Sequence, residues 1–165
     1  MKNGGILITT FMSGIVGQSD NVYLGGYPGP LREMAGVWVE EIDALAPEQK
    51  NKAKFADGSI AACGLLCDLM HLEGAKALAS YEEDFYAGMP AASKNTYGKG
   101  TTYYIATQFE EEGLAKILDQ AVQEAGVSSV IPEETGLEVV TRVSDTTRFY
   151  FVMNFTDEEQ ILPES

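Results

Sequence analysis

Residues 108–125 constrain the fold more than any other part of the chain. Leu114, Ile117, Leu118, Ala121, Val122 and Ala125 recur at helical spacing and make one apolar stripe. Thr107 and Glu110 fit a capping box, Glu110, Glu111 and Glu112 stand where the helix dipole is positive, and Gly126 marks the stop. A helix with a single apolar stripe must bury it. The preceding segments 75–81, 91–97 and 101–107 read as strands, the last two joined as a hairpin across Gly98-Lys99-Gly100, so the helix is expected to pack on a sheet.

The remaining segments extend this into an α/β pattern. Gly4-Gly5 followed by Ile6-Leu7-Ile8-Thr9-Thr10 reads as a turn feeding a short, fully buried strand of the parallel kind. A Gly/Pro-rich loop follows, and Pro30 is placed to open a short helix over 31–35 that Gly36 closes. Residues 37–42 form a strand with Val37, Val39 and Glu41 on one face and Trp38, Glu40 and Ile42 on the other. Residues 60–72 support two readings: Asp57-Gly58 signals a hairpin turn, while the Ala, Leu and Met content behind Ser59 favours a helix. Past Pro132-Glu133-Glu134-Thr135-Gly136, a domain boundary by composition, 137–143 and 148–155 read as strands around Ser144-Asp145-Thr146.

Charge narrows the partners. Eleven Lys and Arg against 25 Asp and Glu give a formal charge of −14. A field of that sign repels phosphate backbones and anionic lipid headgroups, so neither nucleic acid nor a membrane surface is an expected partner. Yet residues 1–35 hold only Lys2, Arg32, Asp20 and Glu33, and are neutral overall. Such a stretch, rich in glycine and aromatics, suits burial against other protein. Apolar runs fall short of the ~18 residues of a membrane span, and Ile6-Leu7-Ile8 is too short for a signal peptide core of ~7–15 residues. Cys63 and Cys67 are the only cysteines, too few for a disulfide framework, which places the chain in a reducing compartment, the cytoplasm.

Catalytic patterns are sparse. His71 is the only histidine, and Cys63, Cys67 and His71 follow at four-residue spacing. On a helix they would share a face as a partial zinc site or a thiol/imidazole pair, but they would span ~12 Å of axis, too far for one ion, so no metal is expected. The acidic groups Glu40-Glu41, Glu82-Glu83-Asp84, Glu110-Glu111-Glu112 and Glu133-Glu134 read as solvated faces, since neighbours on a strand point apart. Gly98-Lys99-Gly100-Thr101 lacks the Ser or Thr that follows the lysine of a phosphate loop, and no cofactor is implied.

Five segments carry a family resemblance: NVYLGGYPGPLR at 21–32, GVWVEEID at 36–43, HLEGAKALA at 71–79, DFYAGMPA at 84–91 and YGKGTTYYIAT at 97–107. In order and spacing they resemble the middle domain of glycoside hydrolase family 42 β-galactosidases, and 136–163 is similar to the opening strands of that family's small C-terminal β domain. The resemblance implies a partial flavodoxin-like fold, shared with class I glutamine amidotransferases, that serves the family as a trimerisation domain at 1–132, then a partial β domain at 136–165. It favours extended structure for 60–72. The catalytic glutamates of the retaining mechanism belong to a (β/α)8 barrel outside these residues, as does the domain's first βα unit, which leaves a sheet edge or face uncovered.

The expectation is therefore a non-catalytic oligomerisation piece of a β-galactosidase, meeting its β-galactoside substrate only in the full-length enzyme. Interface candidates lie in the neutral stretch: Tyr23, Leu24, Tyr27, Pro28 and Arg32. Two alternatives remain, an amidotransferase-like thiol hydrolase using Cys67 and His71, and a sugar-binding module using Tyr23, Tyr27 and Trp38.

Overall fold

A computed structural model describes residues 1–130 and 136–162, so the predicted boundary at 132–136 lies, Gly136 apart, outside the described residues. The chain divides into two compact units, Met1–Ala125 and Gly126–Ser165. Among the described residues no helix is long and apolar enough to cross a membrane.

The first unit is built on an eight-stranded sheet: β1 (Ile6–Thr10), β2 (Val37–Ala44), β3 (Asn51–Phe55), β4 (Ile60–Leu72), β5 (Lys76–Tyr81), β6 (Pro90–Tyr97), β7 (Gly100–Ile105) and β8 (Thr107–Phe109). The order is β1-β7-β6-β5-β3-β4-β2, with β8 on β4. Pairing is antiparallel throughout except for β1 with β7. Only Ala106 separates β7 from β8, and its carbonyl accepts the Asp68 amide at 2.8 Å. Strands β4, β3, β5, β6 and β7–β8 thus close on themselves.

Several expectations hold. Residues 60–72 are extended, with Asp57-Gly58 at the turn from β3; Asp57 accepts from the Ser59 amide and hydroxyl, which fixes that turn. Tyr97 pairs with Gly100 across a two-residue hairpin loop. The short helix α1 (Arg32–Ala35) follows a 3₁₀ turn at Gly29–Leu31 and ends on Gly36. Gly36 has φ +64, and a Cβ there would lie 2.5 Å from the Asn95 amide, so both conformation and space require glycine.

Three expectations do not hold. β1 is only half-buried because it is an edge strand, and Ile8 reaches solvent. In β2 a bulge at Glu40 shifts the register, so Val39 faces Met70 while Glu41 faces Leu69, and Glu41 leaves the face that Val39 occupies. The long helix α2 spans Glu111–Ala125 and does not start at residue 108. Thr107 belongs to β8, where its hydroxyl donates to the Gly64 carbonyl at 3.2 Å inside the core. Strand pairing with β4 outweighs the local capping pattern, since it satisfies the backbone of 107–109 as well as this hydroxyl.

Two cores result. The ring core joins β3, β4, β5 and β7 to α2 through residues such as Phe55, Cys67, Tyr81, Tyr103 and Ile117. Burying one side chain of the size of Ile117 contributes about 1.5–3 kcal/mol. The crossover core lies under the connection from β1 to β2 and collects Ala35, Val37, Val39, Met70, Tyr104 and Ala106, with Tyr27 packed on it.

The second unit is an antiparallel hairpin of β9 (Leu137–Val143) and β10 (Arg148–Asn154). Its turn is held by the Ser144 amide donating to Thr147 O at 2.8 Å. Phe149, Tyr150, Phe151 and Val152 are all exposed, so neighbouring apolar side chains project from both faces.

Candidate functional site

The crossover from β1 to β2 carries the predicted interface residues. Between Phe11 and Leu31 its only charge is Asp20. Within it the Gly17 amide donates to Asn21 O and the Tyr23 amide to Ile15 O, which makes a small hairpin that presents Val16 and Val22 outward. Leu24, at 98% exposure, is the most prominent apolar side chain of this stretch; Met12 and Tyr23 are exposed near it in sequence.

The candidates divide. Tyr23 and Leu24 face solvent, whereas Pro28 is buried and the Tyr27 hydroxyl is fully enclosed. Arg32 is committed within the chain: Nε and Nη2 make a two-pronged contact with Glu73, both arms at 2.6 Å, and Nη1 donates to Gly25 O at 3.0 Å. This pins the glycine turn to the start of α1.

Sequence reasoning passed over the stack that adjoins this turn. The Arg32 guanidinium packs over Trp38 at 5.6 Å, Trp38 stacks on His71 at 4.8 Å, and His71 Nε2 bonds Glu40 at 2.8 Å. The cross-strand pairing of Trp38 with His71 generates it. A Cβ on Gly26 would lie 1.9 Å from Trp38 Nε1, so backbone closes the indole edge. Trp38 is thereby occupied on its ring and its edge, and offers no open platform for a sugar.

Cys67 and His71 are not brought together. Both lie on the extended β4, where four residues cover ~13 Å. The Cys67 thiol is fully buried against Thr107 Oγ1 at 3.5 Å, and His71 is exposed on Glu40. Burial, with neighbouring Cys67, pushes the Cys63 thiol up to about 12, so it stays protonated at neutral pH.

Acids elsewhere serve as anchors. A cleft of about 390 Å³ is lined by Asp43, Asn51, Glu83 and Asp84 among others. Asp43 accepts the Tyr86 hydroxyl at 2.8 Å, Glu83 pairs with Lys52 at 2.6 Å, and Asp84 accepts the Phe85 amide. Among the described residues no group of three His, Cys, Asp or Glu is placed to hold a metal ion.

One acid is different. Asp68 is fully buried in the sheet, and Tyr104 Oη donates to its Oδ2 at 2.7 Å. Desolvation raises its carboxyl to about 7, against the lowering effect of that hydrogen bond.

Comparison with known proteins gives the family. The profile of the β-galactosidase trimerisation domain matches residues 1–128, and that of the β-galactosidase C-terminal domain matches 136–165. The chain is 48% identical to β-galactosidase LacA of Lactobacillus acidophilus, covering 99% of this chain and 24% of that protein. It is 44% identical to β-galactosidase BgaA of a Planococcus species, covering 96% of this chain and 24% of that protein. In structure it resembles the β-galactosidase of Bacillus circulans sp. alkalophilus, with TM-score 0.89, 40% identity, and 96% and 24% of the two chains covered. The chain thus spans about a quarter of the length of these relatives, over the region named for trimerisation. It belongs to the glycoside hydrolase family 42 β-galactosidases.

Proposed function

We propose that this chain is a non-catalytic oligomerisation module, in which three copies meet through the crossover between β1 and β2. The observation that carries the reading is Leu24, 98% exposed in a segment whose one charge is Asp20. Covering that side chain removes apolar surface from water without stripping water from a charged group, whereas the acidic remainder of the chain would incur that cost. Tyr23 extends the apolar area, and the Arg32–Glu73 pair supplies a polar rim. Homo-oligomerisation in the family supports the reading.

The parent protein is proposed to hydrolyse terminal non-reducing β-D-galactosides by a retaining mechanism, with its catalytic acids outside these residues. Its compartment is the cytoplasm, where Cys63 and Cys67, both free thiols, stay reduced.

Sedimentation velocity of the chain tests the module. The expected result is a trimer that Leu24→Asp converts to a monomer with an unchanged circular dichroism spectrum. A wild-type chain that is monomeric at every concentration, or a Leu24→Asp chain that remains trimeric, overturns the reading. Turnover of a chromogenic β-galactoside by the clean chain would overturn the non-catalytic part.

A further inference from the structure

Asp68 and Tyr27 each leave a buried polar atom unpaired in the crossover core, close enough that the charge of one acts on the other. Asp68 lies on β4, two residues from Met70 and on the same face. Met70 stands opposite Val39, and the Val39 amide donates to Tyr27 O at 2.7 Å, which clips the glycine-rich crossover to β2. The Tyr27 side chain therefore enters the layer that holds the Asp68 carboxyl. Tyr104 completes that carboxyl on one side only: Oδ2 receives the Tyr104 hydroxyl, while Asp68 Oδ1 and Tyr27 Oη are both buried without a hydrogen-bond partner among the described residues. A neutral carboxyl can pair with the Tyr27 phenol without burying a charge. A carboxylate can accept the phenol hydroxyl only as an unpaired buried charge, and water reaches that charge only if the crossover above it gives way.

The groups facing Asp68 offer that charge little relief. They are Tyr104 from β7, Tyr27 from the crossover, and Tyr81 from β5, whose hydroxyl donates to the Asp68 backbone carbonyl at 3.4 Å; Glu41 of β2, on the other face, acts on Tyr27 alone. Among the described residues none of the groups acting on this carboxyl is a cation. The adjoining residues of the crossover, Leu24 and Tyr23, are those the proposed function assigns to the interface.

We propose that Asp68 is a pH-responsive latch for the crossover: protonated, it holds Tyr27 and the glycine turn seated; ionised, with its proton released to solvent, it loosens them and with them the oligomerisation surface. This rests on the preceding reading only for its effect on assembly. The midpoint expected for release is close to neutrality, since burial already places the carboxyl at about 7.

Trp38 reports the latch, being the chain's only tryptophan and lying against Gly26. The experiment is a fluorescence titration of the full chain from pH 5 to 9. His71 stacks on the same ring, so His71→Gln is the reference background. The expected result is a transition near pH 7 that survives His71→Gln and disappears in Asp68→Asn. A transition that vanishes in His71→Gln and survives in Asp68→Asn assigns it to the imidazole and overturns the latch. Should Asp68→Asn fail to fold, Tyr104→Phe decides: losing the hydrogen bond to the ionised form must move the midpoint upward, and an unmoved midpoint overturns the proposal. Sedimentation in the same buffers separates the two readings. A monomer at every pH with the Asp68-dependent transition intact removes the interface and keeps the latch; a trimer with flat fluorescence does the reverse.

Discussion

The ring core and the crossover core are built from the same sheet, yet they treat polar atoms in opposite ways. In the ring core the Tyr81 hydroxyl donates to Ala106 O, Tyr86 to Asp43, Tyr103 to Glu124 and Thr107 to Gly64 O. In the crossover core Tyr27 Oη and Asp68 Oδ1 lack partners among the described residues, as do Ser93 Oγ and Thr102 Oγ1, which share the Tyr104 side of β6 and β7. The difference follows from what covers each. On the ring side the acceptors come from strand carbonyls at Gly64 and Ala106, from Asp43 on β2 and from Glu124 on α2, whereas the glycine-rich crossover brings mostly backbone, close in but short of partners. A core sealed by backbone is the adjustable one.

The sharpest break of this comparison is a cavity in the ring core. Ile117→Ala is expected to cost about 2–5 kcal/mol, because a rigid, fully paired surround relaxes little. Urea unfolding followed by circular dichroism measures it, and a cost under about 1 kcal/mol would show the ring core to be as yielding as the other.

Acidity separates the cores by sign. The Asp68 carboxyl ordinarily titrates at 3.8 and is raised to about 7 by burial, so from about pH 4 to 7 the folded chain holds a proton that the unfolded chain has released. Stability therefore falls by a few kcal/mol across that window and is level above it. Glu124, near the end of α2, goes the other way: Lys94, then Tyr103 and Thr101, hold it down to about 2 from 4.5, so its contribution is complete above about 4.5 and is lost as pH falls toward 2. Urea midpoints should peak between pH 4 and 5. Asp68→Asn should flatten the neutral slope and Glu124→Gln the acid slope, each leaving the other in place.

A smaller effect sharpens the role of backbone. Gly26→Ala puts a Cβ against the Trp38 indole at φ +87, at a cost of about 1–3 kcal/mol confined to the crossover. Trp38 emission should shift to the red with the ring core's unfolding midpoint little changed. An unshifted emission would mean that the glycine turn does not seal the indole edge.

What the sequence makes legible follows the same division. Periodicity and turn chemistry locate α2, the hairpin at Gly98-Lys99 and the strand β2, since each is decided by neighbours in the chain. Thr107 misleads because a capping pattern is local, whereas its real partners, Gly64 and Cys67, come from a bulged part of β4 some 40 residues away. Leu24 and Tyr23 are legible as exposed candidates through the missing charge, but Pro28 and Tyr27 in the same motif turn inward, which only the pairing of Tyr27 with Val39 decides. Asp68 is a single acid among Cys67, Leu69 and Met70. Its signal was the lack of any neighbouring base, overshadowed by the acidic clusters, which are solvated.

The least perturbing test uses the thiols as gauges of the ring core. Cys63 and Cys67 are both buried there, and Cys63 is held protonated, so an alkylating reagent at neutral pH should modify neither until the core opens. The labelling rate then equals the rate of the unfolded thiol scaled by the open fraction. Ile117→Ala should raise it by the factor that its stability loss predicts, about 30-fold for 2 kcal/mol. Gly26→Ala, which disturbs only the crossover, should leave it unchanged. A thiol that reacts readily in the native chain would mean that the ring core is not sealed, and would restore Cys67 as a candidate nucleophile. If labelling instead follows Gly26→Ala as closely as Ile117→Ala, the two cores open together, and the latch at Asp68 would act on the whole unit through one cooperative transition.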